Sequence, residues 1–310
     1  MPTLLQLTPV RPDLQAALQE RYTVHRFDQV TDQAAWLAAH AGEVDAVVTG
    51  GGNGIAASLM KALPKLRIVA INGVGFDKVD LAAARAQGVR VTNTPDVLTD
   101  DVADLAVGLT IALLRRIPQA NAHVRAGLWP QSERPLARKV SGKHFGILGL
   151  GRIGLAVSHR LAAFDGKIGY TDMVEQPSAY TFYRDAVALA AASDVLVVCA
   201  AASASTRHIV NRAVLDALGP QGALVNVARG SIVDEPALVA ALQEGRLGAA
   251  ALDVFEDEPN VPPALLTMDN VLLTPHIASA TEETRAAMGA LVLANLDAFF
   301  AGQPLPTAVV

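Results

Sequence analysis

Cysteine is nearly absent from this chain of 310 residues, which contains only Cys199. A single cysteine excludes a disulfide within the chain and makes a cysteine metal cluster implausible, and the apolar run VLVVCA around it predicts a buried small side chain. No metal-ligand spacing is found among the histidines outside the motifs described below, so we expect no metal site. These histidines are His25, His40, His123, His144, His159 and His208.

Charge and long apolar runs are also scarce. Charged residues make up 18% of the chain, the net charge is -5, and no basic block is present, which argues against a nucleic-acid or acidic membrane surface. The longest uncharged apolar stretches, such as residues 105–114, have about ten residues, too few to span a bilayer. The first residues lack the pattern of a secretory signal. We therefore expect a cytoplasmic protein that acts on small molecules, without membrane or nucleic-acid partners.

The chain does contain a regular alternation of two kinds of segment. Short runs rich in Val, Ile and Leu alternate with longer segments rich in Ala and Leu, which is typical of parallel sheets covered by helices on both faces. The predicted fold class is α/β, with two doubly wound parallel-sheet domains. We predict strands over 4–7, 23–27, 46–49, 67–71 and 90–92, and then over 145–148, 168–170, 195–199, 224–227, 249–254 and 271–273.

Two helix signals place the predicted domain boundaries. One long helix is predicted to begin at Thr99, and a last helix is predicted over 281–302. Residues 1–98 would form one small doubly wound unit, and the resemblance described below implies that it is a substrate (catalytic) domain completed by residues 283–310 with the C-terminal helix. Residues 99–282 would form a dinucleotide-binding domain, because their six strands match a Rossmann fold.

A glycine motif marks a candidate cofactor site. Gly149, Gly151 and Gly154 form GLGRIG between a predicted strand and a predicted helix, where they permit a tight turn, a close approach to a pyrophosphate and helix packing. Asp172 stands 23 positions after Gly149, at the end of the next strand, where an acid binds ribose hydroxyls and repels a 2′-phosphate. The next residue is Met173 and no Arg follows, so the sequence predicts NAD rather than NADP.

Four polar side chains stand at the predicted ends of later strands: Arg229, Asp253, Glu258 and His276. The carboxyl ends of parallel strands form the ligand crevice of an open sheet. We therefore expect these groups to converge, although they are distant in sequence.

Five segments carry a resemblance to a known family: NTPDVLTDDVADLAVG, GLGRIG, NVARGSIVDE, GRLGAAALDVFEDEP and LLTPHIASAT. They resemble the D-isomer-specific 2-hydroxyacid dehydrogenases over nearly the whole chain, and most of all the hydroxyphenylpyruvate, hydroxypyruvate and glyoxylate reductases. The resemblance implies a flavodoxin-like substrate domain, a Rossmann NAD-binding domain, a reaction in the cleft between them, and a homodimer formed through the NAD-binding domains. It also implies reduction of a 2-oxo acid to the D-2-hydroxy acid with NADH or NADPH.

The resemblance assigns three catalytic residues, and their chemistry agrees with it. Arg229 would bind the substrate carboxylate and polarise the keto group, for which a planar guanidinium is suited. His276 would protonate the carbonyl oxygen as hydride arrives from the nicotinamide, and Glu258 would keep the imidazole protonated near neutrality. The family pattern places the catalytic acid immediately before a proline, which is Glu258, so Glu256 is expected to be a solvated neighbour.

Further contacts are implied by the resemblance alone. Val74 and Gly75 match a loop whose backbone N–H groups bind the substrate carboxylate, with a plain tight turn as the alternative. Asp253 matches the residue that binds the nicotinamide carboxamide, with a structural role at the strand end as the alternative. Ser279 would contact the cofactor or the substrate. The remaining implied cofactor contacts are Arg152, Ile153, Thr206, Val227, Ala228, Arg229 and His276.

Two departures from the family pattern affect coenzyme and substrate. Similar members that prefer NADPH carry a small polar residue followed by Arg where this chain has Asp172 and Met173. The run GGGNG at 50–54 is unusually rich in glycine, which leaves room for a bulky substrate or gives a mobile loop. The substrate pocket would be formed by residues 50–53, Asn72, Leu98 and residues 129–136 of the partner subunit.

Two alternatives use the same fold, one from another functional class and one a different dehydrogenase. The fold also suits a nucleotide-sensing protein that binds NADH without turnover, and a dehydrogenase for formate or phosphite. The complete set of Arg229, Glu258 and His276 argues against the sensor. Formate enzymes of the family carry Gln where this chain has Glu258, which argues against the other.

Overall fold

The computed structural model describes residues 1–310 and divides the chain into two compact units. The first unit comprises Met1–Leu98 and Ala280–Val310, and the second comprises Thr99–Ser279. The second boundary therefore lies three residues before the predicted one, at the loop that precedes the C-terminal helix. None of the helices combines the length and the hydropathy that a membrane span requires.

The first unit is built on a five-stranded parallel sheet with the order β2-β1-β3-β4-β5. This is the order of flavodoxin-like doubly wound sheets. Each predicted strand is present, with bounds that shift by at most two residues. The strands are β1 (Thr3–Gln6), β2 (Thr23–Arg26), β3 (Val44–Gly50), β4 (Ile68–Asn72) and β5 (Arg90–Thr92), and the helices between them are α1 (Pro12–Arg21), α2 (Gln33–His40), α3 (Ala57–Ala62) and α4 (Leu81–Ala86).

The C-terminal segment completes this first unit in two ways. Its helix spans Glu282–Phe300, and Thr281 caps it by accepting a hydrogen bond from the backbone N–H of Thr284 at 3.2 Å. The chain then turns back along β5, where the N–H of Val309 donates to the carbonyl of Val91 at 2.7 Å. The last residues thus pair with a strand that would otherwise be an exposed sheet edge.

The second unit contains seven parallel strands in the order β12-β11-β10-β9-β6-β7-β8. The strand order runs outward from β6 in both directions, which makes this point the topological switch point of a Rossmann fold. Ligands bind outside the carboxyl ends of the strands at such a point. The strands are β6 (His144–Leu148), β7 (Lys167–Thr171), β8 (Thr181–Phe182), β9 (Val195–Val198), β10 (Ala223–Asn226), β11 (Ala249–Leu252) and β12 (Val271–Leu273). The helices are α5 (Thr99–Leu114), α6 (Ile117–Arg125), α7 (Arg152–Ala162), α8 (Ala186–Ala191), α9 (Arg212–Leu218) and α10 (Glu235–Gln243).

One strand of this sheet was missed by the sequence analysis, which predicted six. The additional strand β8 has two residues, too few to produce a periodic pattern. The central strand β9 is buried along its whole length, which explains why its sequence is continuously apolar.

The single cysteine follows β9 and is half-buried rather than fully buried. Burial raises the pKa of Cys199 to about 12, so the thiol is not ionised near neutral pH. Its position therefore fits a packing role, and the chemistry of the unit lies elsewhere.

Candidate active site

The glycine motif forms the turn between β6 and α7. Gly149 has a φ of +91°, and a Cβ there would lie 2.6 Å from the Cα of Ala200. A Cβ on Gly154 would lie 2.0 Å from the carbonyl oxygen of Gly149, so the helix packs tightly on the turn. Gly151, in contrast, faces open space, and no side chain caps the N-terminus of α7. The turn therefore fits a dinucleotide pyrophosphate, which would occupy that space and accept from the exposed N–H groups.

Asp172 lies beside this turn, immediately after β7. Its Oδ2 accepts a hydrogen bond from the backbone N–H of Leu150 at 2.9 Å, and its Oδ1 accepts from that of Met173 at 2.7 Å. Met173 and Val174 are exposed, and the following residue is the acidic Glu175. The carboxylate is thus fixed where ribose hydroxyls would be bound, next to side chains that carry no positive charge.

The loop after β10 carries Arg229 and is closed by a buried amide. Asn226 Oδ1 accepts from the N–H of Ala228 at 3.1 Å, and Asn226 Nδ2 donates to the carbonyl of Arg229 at 3.0 Å. The guanidinium Nη1 donates to the carbonyl of Ala228 at 2.7 Å. The sequence analysis did not single out Asn226, although a short amide side chain at a strand end is a known turn-former.

His276 and Glu258 form a hydrogen-bonded pair. The distance between His276 Nδ1 and Glu258 Oε2 is 2.7 Å, and Glu258 Oε1 accepts from the N–H of Phe255 at 3.1 Å. Burial raises the pKa of Glu258, but His276, the Phe255 N–H and the charge of Arg229 more than offset it, so the pKa lies below its usual value. An ionised carboxylate only accepts, so Nδ1 carries the hydrogen and Nε2 is left to face a substrate.

The loop that carries His276 is held by Asp253. The backbone of His276 has a φ of +54°, a left-handed conformation that is uncommon outside glycine and concentrates at functional sites. Its N–H donates to the carbonyl of Asp253 at 2.8 Å. The Asp253 carboxylate has no exposed surface and accepts from Thr274 Oγ1 at 2.7 Å, Ile277 N at 2.8 Å and Ala278 N at 2.9 Å. These contacts favour the structural alternative for Asp253 over a contact with the nicotinamide.

The expectation that Glu256 is a solvated neighbour is wrong. Its carboxylate is hydrogen-bonded to Arg207, and its Oε1 lies 3.0 Å from His208 Nε2, within hydrogen-bond distance. Its backbone N–H donates to Oε1 of the buried Glu235 at 2.8 Å. These partners are far from Glu256 in the sequence, so no local sequence pattern predicts the contacts.

The other predicted cofactor contacts lie on loops of the second unit that follow its strands. Thr206 closes its own loop, where its Oγ1 donates to the carbonyl of Ala201 at 2.8 Å. Val227 is buried and Ser279 is half-buried. Of the rest, Arg152 and Ile153 are the first two residues of α7, and Ala228 lies in the turn after β10.

Val74 and Gly75 lie in the first unit, on the loop after β4. The carbonyl of Val74 accepts a hydrogen bond from Asn93 Nδ2 at 2.9 Å. The glycine-rich run before α3 packs against this loop, because a Cβ on Gly51 would lie 3.1 Å from the carbonyl oxygen of Gly75 and one on Gly73 would lie 3.0 Å from Gly51 Cα. Close backbone packing thus accounts for glycine at position 51, a reason that neither alternative for the run included.

A dinucleotide-binding parallel sheet with a histidine–carboxylate pair at its strand ends defines an NAD(P)-dependent oxidoreductase. Residues 107–278 match the family profile described as D-isomer specific 2-hydroxyacid dehydrogenase, NAD binding domain. The chain belongs to this family and is a 2-hydroxyacid dehydrogenase, acting as a 2-oxoacid reductase in the opposite direction. The resemblance stated from the motifs and the predicted fold class are both confirmed.

Full-length relatives agree with this assignment. Hydroxyphenylpyruvate reductase of Plectranthus scutellarioides is 51% identical over 99% of this chain and 98% of its own length. Glyoxylate/hydroxypyruvate reductase A of Arabidopsis thaliana is 48% identical over the same shares. The crystal structure of NADPH-dependent glyoxylate/hydroxypyruvate reductase from Sinorhizobium meliloti, in complex with NADP and malonate, superimposes with a TM-score of 0.92 at 43% identity, covering 100% of this chain and 97% of that one.

Proposed function

We propose that this protein reduces a small 2-oxo acid, of the glyoxylate, hydroxypyruvate or hydroxyphenylpyruvate type, to the D-2-hydroxy acid with NADH. The observation that carries the proposal is the 2.7 Å contact between His276 Nδ1 and Glu258 Oε2, in the same unit as the dinucleotide turn. The names of the relatives at 51% and 48% identity support this class of substrate.

The residues of this chain would divide the chemistry among them. The glycine turn would hold the pyrophosphate and Asp172 the ribose hydroxyls, while Arg229 would bind the substrate carboxylate and polarise the keto oxygen. The bound reduced nicotinamide supplies a hydride to the carbonyl carbon. His276 Nε2 would donate a proton to the carbonyl oxygen, and the Glu258 carboxylate stabilises the imidazolium before that transfer. The ring regains its proton from solvent, so one substrate consumes one hydride and one proton.

We propose that Val74 and Gly75 contribute backbone N–H groups to the substrate carboxylate. The support for this role is the packing of Gly51 against the loop, which fixes the backbone that would carry those donors. The variant Gly51→Ala adds a methyl group 3.1 Å from the Gly75 carbonyl oxygen and would displace the loop. We expect KM for the 2-oxo acid to rise by about tenfold, the loss of roughly one hydrogen bond, while the Kd for NADH stays unchanged.

The proposed preference for NADH rests on the fixed Asp172 carboxylate and on the uncharged side chains after it. A 2′-phosphate would meet a negative charge there, and none of the three residues after Asp172 carries a positive charge. The relative from Sinorhizobium meliloti is NADPH-dependent, so the two coenzymes need a direct comparison. The double variant Asp172→Ser, Met173→Arg should shift the ratio of kcat/KM values toward NADPH by about 100-fold, while the wild type prefers NADH.

The experiment that tests the function follows the loss of reduced-nicotinamide absorbance with NADH and NADPH in parallel. Glyoxylate, hydroxypyruvate, pyruvate, hydroxyphenylpyruvate and 2-ketogluconate serve as substrates, and formate and phosphite are tested with the oxidised coenzymes. Fast reduction of one 2-oxo acid supports the proposal and names the substrate. If no acid is turned over while NADH still binds, the nucleotide-sensing alternative replaces the enzyme proposal.

We also propose a homodimer formed through the second unit, in the cytoplasm. The segment after α6 exposes large apolar side chains, including Trp129 at 73% and Leu136 at 97% of their surface. Such exposure on a single chain is typical of a surface that a second copy covers. Light scattering should give a dimer for the wild type and a monomer for the variant Trp129→Asp, Leu136→Asp; a monomeric wild type would contradict the proposal. Cell fractionation tests the compartment.

A further inference from the structure

A buried carboxyl of the second unit has no role in the mechanism above. Glu235 is the first residue of α10 and is 8% exposed. It does not cap its own helix, because Asp234 does so by accepting from the N–H of Ala237 at 3.0 Å. Instead, Glu235 Oε1 accepts the backbone N–H of Glu256 at 2.8 Å.

The N–H that Glu235 binds belongs to the turn that carries Glu258. Within this turn, residues 255–258, the N–H of Phe255 donates to Glu258 Oε1 at 3.1 Å, and the next N–H along, that of Glu256, donates to Glu235. Two successive donors of the turn are therefore held by two carboxyls. One of these carboxyls also binds His276, and the other is anchored in α10.

The same turn packs on the loop that carries Arg229. A Cβ on Gly230, the residue after Arg229, would lie 1.9 Å from the carbonyl carbon of Phe255 and 2.2 Å from the nitrogen of Glu256. The backbones of the two loops thus touch without room for a single carbon atom. Because α10 begins only five residues after Gly230, a bond from Glu235 to the turn fixes both loops to one helix.

The surroundings of Glu235 destabilise its ionised carboxylate. Burial first, and then the charges of Glu256, Asp257 and Glu258, raise the pKa of Glu235, whereas the N–H of Glu256 lowers it. A buried acid among acids stabilises the fold less than a neutral side chain with the same acceptor would. What the group contributes is a bond of defined length to the turn.

We propose that Glu235 is a positioning residue for the acid–base pair: by binding the Glu256 N–H it fixes the turn so that Glu258 reaches His276. This inference rests on the roles proposed above for Glu258 and His276. It adds a residue that contacts neither substrate nor cofactor and acts through the geometry of the turn.

Two substitutions separate length from charge. Glu235→Asp keeps the charge but withdraws the carboxyl by one methylene, so it no longer reaches the N–H of Glu256. Glu235→Gln keeps both the length and an acceptor oxygen. We expect Glu235→Asp to lower kcat by about tenfold or more, since a general acid contributes 100-fold or more when positioned. Glu235→Gln should keep kcat within about threefold of the wild type, equivalent to less than one hydrogen bond.

The affinity for NADH, compared with kcat, distinguishes a loss of positioning from general damage to the fold. The variants should bind NADH, followed by its fluorescence, with a Kd within about twofold of the wild type, because the glycine turn and Asp172 are untouched. The matched control is Asp257→Asn, which removes one acidic charge from the same turn at an exposed side chain whose bond goes to Asn260. Its kcat should stay within about twofold.

The outcomes decide separately on this inference and on the proposed function. An unchanged kcat for Glu235→Asp overturns the positioning role. A loss of kcat above about tenfold for Glu235→Gln also overturns it, and this second measurement decides alone if the Glu235→Asp variant does not fold. Glu258→Gln is measured in parallel. If that variant keeps the wild-type kcat, the proposed acid–base function fails; if it loses activity while Glu235→Asp does not, only the positioning role is rejected.

Discussion

Two histidine–carboxylate pairs of the second unit have their carboxylates on the same turn, residues 255–258. Glu258 binds His276 through Nδ1 at 2.7 Å, and Glu256 binds His208 through Nε2 at 3.0 Å. Both histidines have left-handed backbones, with φ of +54° at His276 and +51° at His208. Neither the residue types nor the backbone strain therefore tells which pair does chemistry.

The difference lies in the kind of partners that each carboxylate has and in the ring nitrogen that each histidine uses. Glu256 is also bound to Arg207, and its N–H is held by Glu235, so its charge is already balanced within the fold. Glu258 accepts from the His276 ring and from the backbone N–H of Phe255, and the charge of Arg229 also acts on it, so its ionised carboxylate stands beside an imidazole that it would stabilise as an imidazolium. His276 binds Glu258 through Nδ1, so Nε2 is the ring nitrogen that the proposal assigns to the substrate, whereas His208 binds Glu256 through Nε2.

The largest effect should come from replacing the two histidines in turn. His276→Asn removes the proton donor, and we expect kcat to fall by about 1000-fold. His208→Asn removes a ring that is bound to a neutralised carboxylate, and kcat should stay within about threefold. Steady-state kinetics with the best 2-oxo acid and NADH measure both. Equal losses would show that the two pairs are not functionally distinct.

Replacing the two carboxylates should give a smaller contrast of the same sign. Glu258→Gln leaves an imidazolium without its anion, and we expect a fall in kcat of about 100-fold. Glu256→Gln keeps the backbone N–H that Glu235 holds and should cost about threefold at most. If Glu256→Gln is the more damaging of the two, the assignment of the acid–base pair is reversed.

How far the sequence predicted this site depends on how far each contact reaches along the chain. The glycine turn and Asp172 follow from spacing within one strand–turn–helix–strand segment, so they were predictable from local pattern. Glu258 was chosen over Glu256 through the resemblance to a family, because the residues alone offer two glutamates, two positions apart, before the same proline.

The contacts that distinguish the two pairs join residues that are distant in sequence. The bond between Glu235 and Glu256 spans 21 positions and that between His208 and Glu256 spans 48, and each joins segments that follow two different strands. Asn226 differs from these, because it closes the Arg229 loop through hydrogen bonds to residues only two and three positions away, so a local pattern could have indicated it. Propensity and periodicity describe single helices and strands, so they do not predict tertiary contacts between loops.

Neutralising Glu235, which supports the turn, and neutralising Glu258, which the turn carries, should change the melting temperature in opposite directions. The pKa of Glu235 is raised in the fold, so its contribution to stability is lost as pH rises, and Glu235→Gln should melt higher at about pH 8 by about 2 °C. The pKa of Glu258 is lowered, so its contribution is present above its ordinary pKa, and Glu258→Gln should melt lower at that pH.

The sign of each difference is checked by calorimetry over a range of pH. Below its ordinary pKa Glu235 is protonated in both the folded and the unfolded chain, and Glu258 becomes protonated in the fold as pH falls through its lowered pKa, so both differences should shrink toward zero at the acidic end of the range. A Glu235→Gln variant that melts lower than the wild type at high pH would show that the ionised group stabilises the fold. A difference that persists unchanged at low pH would mean that packing, rather than charge, sets the stability.

The smallest effect should follow from the ion pair of Arg207 with Glu256. The Arg207 side chain is 56% exposed, and an exposed pair contributes about 1 kcal/mol or less, since water screens the charges. Arg207→Gln should therefore lower the melting temperature by less than about 2 °C and leave kcat unchanged. His208 and the Glu256 N–H, still held by Glu235, would keep the turn in place. A tenfold or greater loss of kcat in this variant, about 1.4 kcal/mol, would show that the outer pair controls the inner one.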